Sequence, residues 1–541
     1  MYSSILTIAG ILSHLLYFRH GDHHLLGVTY LQLFVFAVAS TTLYYQYIHD
    51  LPWSSALTTT SHIFFRYLAG LYSSLLVYRF FLHPLRRFPG PRAARLSGFW
   101  SFTPKHTNHT TLLALHRQYG PIVRAGPAEL SLILPSAVPA IYGNQSACVK
   151  DSVYDLVLPS QPLQNCRDRA EHAARRRIWS PAFSDKRLRG YEQRIRVYRQ
   201  QLVDQLHHLA DTPVNICKWF NLYSFDVMGD LAFGRGFDSL ATGHEHWAIL
   251  LLVEGMKQVG LFFPPWAAQL LLAIPGASKG WWRLLDFCSE RLDQRIREGE
   301  RVDAETDTYF PDISESLLAP YKERAPTLQE RRDLDGDVRL IVVAGSDTTA
   351  VTLSSIFYEL VRHPGEMAKL RAELAPYATG ADDGEFLGSQ IAHLDHLNGV
   401  INEALRLYPP VPGLLARRTP KEGIVVDGVY IPGNMTVSCP QYVMGRSELC
   451  YERADEFIPE RWYKSPELIK DERAFAPFTI GPYSCIGRPL ALMNLRATVA
   501  RLVITFDVEF APGEDGRAFV EKAQDNFVLY PGALNLTFKK R

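Results

Sequence analysis

Hydrophobic residues are distributed differently in the two parts of the chain. Near the N-terminus they run almost without interruption. Residues 25–47 are apolar for long enough to cross a bilayer. Residues 62–82 form another such stretch, with Arg66 near one end, where its side chain can reach the interface. Residues 4–18 are apolar but short for a span. That first segment lacks the basic flank of a cleaved signal peptide, and further apolar segments follow it, so about three membrane helices are expected. Arg19, His20, His23 and His24 lie between the first and second segments, and no Lys or Arg lies between the second and third. Arg79, Arg86, Arg87, Arg92 and Arg95 sit at the end of the third and beyond. The positive-inside rule then places the first loop and everything after residue 82 in the cytosol.

The run His83-Pro84-Leu85-Arg86-Arg87-Phe88-Pro89-Gly90-Pro91 stops any helix and reads as a stiff connector. Beyond it the apolar spacing is mostly helical. Residues 171–179 read as a basic helix, and 191–300 as amphipathic helices broken at 261–266. Residues 309–336 are polar and read as an exposed connection. Residues 337–362 read as a helix that is apolar almost all round from Leu340, as in the middle of a domain. Short strands are expected at 120–126 and 128–133, at 424–430 and 435–439 around Pro432-Gly433-Asn434, and at 526–530 and 533–539. The expected fold is therefore mainly α with small β-sheets: a membrane anchor, 1–84, and one large domain, 85–541.

Composition removes some function classes. A net charge of +1 over 541 residues offers no footprint for nucleic acid. Seven cysteines at wide spacings, with no CxxC pair, argue against a disulfide framework or a zinc site.

Three stretches carry candidate chemistry. In Phe478-Thr479-Ile480-Gly481-Pro482-Tyr483-Ser484-Cys485-Ile486-Gly487, one cysteine stands between two glycines, just before an apolar helix. A helix N-terminus favours a thiolate there, and a thiolate in a glycine-lined turn suits haem iron. An ordinary buried cysteine would fit the local pattern too. In Ala344-Gly345-Ser346-Asp347-Thr348-Thr349, a carboxylate and hydroxyls interrupt an apolar helix, which is costly unless they are paired or functional. Alternatively, Ser346 or Asp347 caps a new helix at Thr348. Glu403 and Arg406 face each other at i, i+3, a spacing common in surface pairs of little worth.

Together these stretches resemble the motifs of the cytochrome P-450 family, in the family's order. Phe478, Gly481, Cys485 and Gly487 match its haem-binding signature. There is one departure: Tyr483 stands where the family usually has a basic residue that meets a haem propionate. A tyrosine can hydrogen-bond a carboxylate but brings no charge. The resemblance implies haem b with a Cys485 thiolate ligand, and proton delivery by Asp347 and Thr348. It implies a buried network of Glu403, Arg406 and Arg461, the last within Pro459-Glu460-Arg461-Trp462, supporting the loop before the cysteine. His172 and Arg176, four apart on one helix face, take the places of an aromatic and a basic residue that bind a propionate, and Arg417 matches a further propionate position. Val342, Val343, Ala344, Leu414, Leu415, Phe527 and Val528 are the implied substrate lining.

The implied activity is insertion of one oxygen atom from dioxygen into a lipophilic substrate, a terpenoid, polyketide or indole alkaloid. The implied setting is fungal secondary metabolism, in a multi-pass endoplasmic reticulum protein with a cytosolic catalytic domain. Electrons would come from NADPH through a separate cytochrome P-450 reductase, with cytochrome b5 a further candidate donor. Two rivals are a haem-thiolate isomerase or dehydratase and a non-enzymatic membrane haem-binding protein, neither of which needs the acid–threonine pair.

Overall fold

The apolar N-terminal stretch folds as three helices. Tyr2–Ser13 continues through a π turn, His14–Phe18, and is followed by Gly27–Tyr47 and Trp53–Val77. The computed structural model describes residues 2–101, 105–274, 276, 279–299, 312–378, 384–413 and 415–541. Of these three helices, Gly27–Tyr47 is long and apolar enough to cross a membrane, and the first is apolar but short. The third starts well before residue 62, and its first turns carry Ser54, Ser55, Thr58, Thr59 and Thr60, which dilute its apolar character. The loop between the first two helices folds back onto the large domain. Asp22 pairs with Arg418 and, at 3.6 Å, with Arg167; His24 Nε2 lies 2.8 Å from Asp155.

The large domain is built around Leu328–Arg362, a helix of 35 residues. Thr327 and Glu330 close its N-terminus with a reciprocal capping box. The helix begins at 328 rather than at the expected 337, with 328–333 as its largely solvated first turns, and within the stretch expected to be irregular Ile313–Leu318 is a further helix, 309–311 lying outside the described residues. Ser346, Thr348 and Thr349 each donate to the carbonyl four residues back, at 2.6, 2.8 and 2.8 Å. The helix runs through these residues, so Ser346 and Asp347 do not cap a new one; internal bonding satisfies the hydroxyls. Its apolar faces pack on Ile216–Phe233, itself buried along most of its length.

The main sheet has five strands, in the order Ile122–Gly126, Glu129–Leu132, Thr436–Ser438, Arg417–Arg418, Val149–Lys150. The expected pairing of 424–430 with 435–439 is wrong. Ile424–Val426 pairs instead with Val429–Ile431, and Thr436–Ser438 joins the main sheet. The reason is the Asp427-Gly428 turn, where φ is 45° and 75°, the left-handed geometry of a tight hairpin. Similarly, Gln524–Asn526 pairs with Val528–Tyr530 across Phe527, while Asn535–Lys540 pairs with Phe506–Phe510 and Pro213–Asn215. The expected hairpin of 526–530 with 533–539 therefore does not form.

Candidate active site

A cavity of about 1540 Å³ lies between the central helix and the cysteine loop. The loop is shaped by its backbone. Thr479 (φ 50°) and Gly481 (φ 71°) are left-handed, and a Cβ on Gly481 would collide with the Tyr142 carbonyl oxygen, so only glycine fits. Cys485 N donates to Phe478 O at 2.9 Å, which closes the loop. Gly487 caps the helix Arg488–Thr505. The Cys485 sulfur opens onto the cavity while protein encloses it elsewhere. Burial pushes its thiol up; the N–H groups of Gly487 and Arg488 and the Arg176 guanidinium pull it down, but less. The helix-terminus effect inferred from the sequence is present, yet burial outweighs it. A metal cation at sulfur would tip the balance to thiolate. All seven cysteines are free.

On the central helix, Val343, Ala344, Gly345 and Thr348 face the cavity. Val342, expected beside them, is packed in the core on another flank of the helix, because successive residues turn by about 100°. The space beside Gly345 is taken by Met228, whose side chain a Cβ there would strike. Leu415, Phe527 and Val528 line the cavity, and Leu414 lies outside the described residues.

Asp347 departs from expectation for the same geometric reason as Val342. It is fully buried and its carboxylate faces away from the Thr348 hydroxyl, toward the C-terminal hairpin. Tyr530 Oη donates to its Oδ2, and Oδ1 has no partner among the described residues. Burial pushes the Asp347 carboxyl up to about 7 against the pull of that hydrogen bond. Asp347 and Thr348 therefore do not stand side by side in the cavity. Tyr530 carried no signal in the sequence, since its partner lies 183 positions away.

At the end of the cavity beside the cysteine loop, Arg176 donates to Ser484 O at 2.6 Å and to Ser484 Oγ at 3.3 Å. The His172 ring meets the Tyr483 ring edge-on at 4.6 Å. Burial, with Lys150, Arg176, Arg175 and Arg417 around it, lowers His172 to about 3, so it is neutral. The Arg417 guanidinium lies 5.1 Å from the Tyr142 and Tyr483 ring centres. Arg417 Nε and Tyr483 Oη are buried without a partner among the described residues. Lys150, which no motif marked, points into the same space, with its Nζ 4.7 Å from the Tyr483 ring centre.

Glu403 accepts from Arg406 Nε and Nη2 at 2.8 and 2.7 Å and from Arg461 Nε at 3.2 Å. It also accepts from Ile458 N and Trp462 Nε1, both at 2.9 Å. Arg461 donates onward to the carbonyls of Glu452, Leu468 and Arg453. All three charged side chains are fully buried, so the surface-pair alternative fails. Trp462 is a member that the sequence reading had not included.

The donor set suits a flat, dicarboxylate metal macrocycle: a sulfur opening onto an apolar slot, with buried cations and two orphaned polar atoms at one end. The Cytochrome P-450 family model matches residues 88–538, and the chain belongs to that family. It is similar to the cytochrome P-450 monooxygenase notG' of Aspergillus versicolor, 48% identical over 97% of this chain and 95% of the relative. It is as similar to a tryprostatin B 6-hydroxylase of Aspergillus fumigatus, 48% identical over 98% and 94%. The haem domain of cytochrome P-450DA has the same fold, with a TM-score of 0.69 at 19% identity, covering 84% of this chain and 98% of that one. The protein is thus a haem-thiolate monooxygenase similar to those of fungal secondary metabolism.

Proposed function

We propose that the enzyme hydroxylates or epoxidises a lipophilic indole alkaloid, using electrons from NADPH delivered by a separate cytochrome P-450 reductase, with cytochrome b5 as a second candidate donor. The carrying observation is the convergence of the Cys485 thiol, the Thr348 hydroxyl and an apolar wall on one cavity. Haem b, ligated through the Cys485 thiolate, supplies dioxygen activation and oxygen insertion when bound.

The chain supplies the rest. Phe478, Gly481 and Gly487 shape the loop that presents the sulfur, and Glu403, Arg406 and Arg461 fasten the segment 445–468 that precedes it in the chain. Arg176, Arg417, His172 and Tyr483 would hold the carboxylates of the haem. Thr348 Oγ1, bonded to Ala344 O at 2.8 Å, holds a transferable proton at the cavity wall. Asp347, with Tyr530, keeps a protonable group on the buried side of that turn. Val343, Ala344, Leu415, Phe527 and Val528 exclude water and orient the substrate.

Two features support an indole alkaloid. A relative of 48% identity is named tryprostatin B 6-hydroxylase. The cavity wall also contains Trp281, Phe262 and Phe263, against which a planar ring system packs well. We further assign the catalytic domain, 85–541, to the cytosolic face of the endoplasmic reticulum, anchored by residues 1–84 as a multi-pass segment. The contacts of Asp22 and His24 with the large domain support this arrangement. So does Pro265–Leu272, which lines the cavity and packs against the start of Gly27–Tyr47, so that a lipophilic substrate meets the cavity at the membrane.

Microsomes carrying this chain and a reductase test the reading. A prenylated indole should give substrate-dependent NADPH and oxygen consumption and a product heavier by one oxygen atom. Turnover of a terpenoid or polyketide but not of an indole would overturn the substrate class. Turnover independent of NADPH would overturn the electron source.

A further inference from the structure

We infer that Lys150 binds a haem propionate, supplying from a neighbouring strand the positive charge that Tyr483 lacks. The inference rests on the haem-thiolate reading of Cys485. Lys150 and Arg417 are direct partners across the antiparallel pair Val149–Lys150 and Arg417–Arg418. Opposed residues in such a pair project to the same face, so both chains enter the same end of the cavity. Alternation along the short strand turns Val149 outward and Lys150 inward.

Lys150 is 3% exposed. Its Nζ donates to Leu163 O at 3.1 Å, and no carboxylate pairs with it among the described residues. Asp151, next in sequence, is turned away to Thr436 and Ser152, and Asp337 is taken by Arg175. Arg176 and Arg417 likewise form no ion pair among the described residues and donate to carbonyl and hydroxyl oxygens. Two buried cations and a half-buried third at one end of a cavity, with no paired carboxylate among the described residues, are costly until an anion joins them. Burial and the positive charges of Arg417, Arg175 and Arg176 accordingly lower Lys150 to about 7. The two orphaned atoms, Arg417 Nε and Tyr483 Oη, lie in the same cluster.

Tyr483 fits this arrangement where a cation would not. Its ring centre is 4.7 Å from Lys150 Nζ and 5.1 Å from Arg417 Cζ, so its π face attracts both. A basic residue at 483 would meet two like charges instead. Removing Lys150 removes half of that conflict, which makes the two positions exchangeable.

The test uses the solubilised full-length holoenzyme and measures haem transfer to excess apomyoglobin. Lys150→Met should speed haem loss on the order of tenfold, Lys150→Arg should stay near the wild-type rate, and Lys150→Met/Tyr483→Arg should recover most of the retention. A purely structural role for Lys150, as a donor to Leu163, would give no rescue by Tyr483→Arg. Haem loss from Lys150→Met at the wild-type rate overturns the inference. If Lys150→Met alone yields no folded holoprotein, the double variant decides: recovered haem supports the inference, and none recovered overturns it. Wild-type protein lacking the red-shifted band of reduced, carbon-monoxide-bound thiolate haem would overturn the parent reading instead.

Discussion

Two charge clusters stand out, one around Glu403 that ties down residues 445–468 and one at the end of the cavity beside the cysteine loop. In the first, Glu403 receives both arginines, and each arginine also donates to backbone carbonyls. At the cavity end, Lys150, Arg176 and Arg417 converge with no carboxylate among the described residues, and two polar atoms are left orphaned. The first cluster is complete within the chain, because a buried ion pair with its remaining hydrogen bonds filled needs nothing more. The second is complete only with an anionic ligand. Both clusters gather cationic side chains away from solvent, and it is the census of partners that distinguishes architecture from a binding site.

Breaking the closed cluster should have the largest effect. Arg461→Ala leaves Glu403 and the carbonyls of Glu452, Leu468 and Arg453 short of a donor and should cost about 3–5 kcal/mol. Holoprotein should not accumulate, as seen by haem per unit of immunodetected chain. A stable holoprotein melting like the wild type would erase the distinction between the clusters. Cys485→Ala should come next. The helical circular dichroism should survive, but the thiolate band of the reduced carbon-monoxide complex should vanish; full turnover by this variant would remove Cys485 from the site.

Thr348→Ala should be milder. It removes a hydroxyl from the cavity wall without touching either cluster, so haem content should hold. Product formed per NADPH should fall by about tenfold or more, with peroxide rising in its place. Unchanged coupling would exclude Thr348 from proton delivery. Tyr530→Phe should have the smallest effect, on pH dependence. The lost hydrogen bond stabilises the Asp347 carboxylate, so its removal should raise the carboxyl above its value of about 7. A step that needs protonated Asp347 declines as pH rises through that value, so the alkaline limb of the product-yield profile should move upward. An unmoved limb would mean that Asp347 does not contribute a proton.

The closed cluster was more legible in the sequence than the open one. Glu403 and Arg406 share a helix face, a weak signal by itself, and it was the resemblance of these residues and Pro459-Glu460-Arg461-Trp462 to family motifs that marked the network. Lys150 and Tyr530 had no such motif. Each acts through a partner more than a hundred residues away, and a lone lysine on a two-residue strand looks like any surface lysine. Strand pairing failed where it depended on one turn: Asp427-Gly428 is a strong hairpin signal, but the more conspicuous Pro432-Gly433-Asn434 drew the boundary instead.

The amino-acid sequence by itself determined the family-like motifs, the mainly helical class with its small sheets, the apolar N-terminal stretch and the cysteine expected to hold the haem. These depend on residues close together in the chain, where glycine geometry, helix spacing and apolar run length act directly. Only the tertiary structure decided which side chains share the cavity. Asp347 and Val342 are one step from Thr348 and Val343 in sequence but point elsewhere, because each step turns the helix by about 100°. Lys150 meets Arg417 because sheet pairing joins distant segments, and the fold brings Tyr483 against both, where buried charge acts on whatever lies within a few ångströms, regardless of its place in the chain.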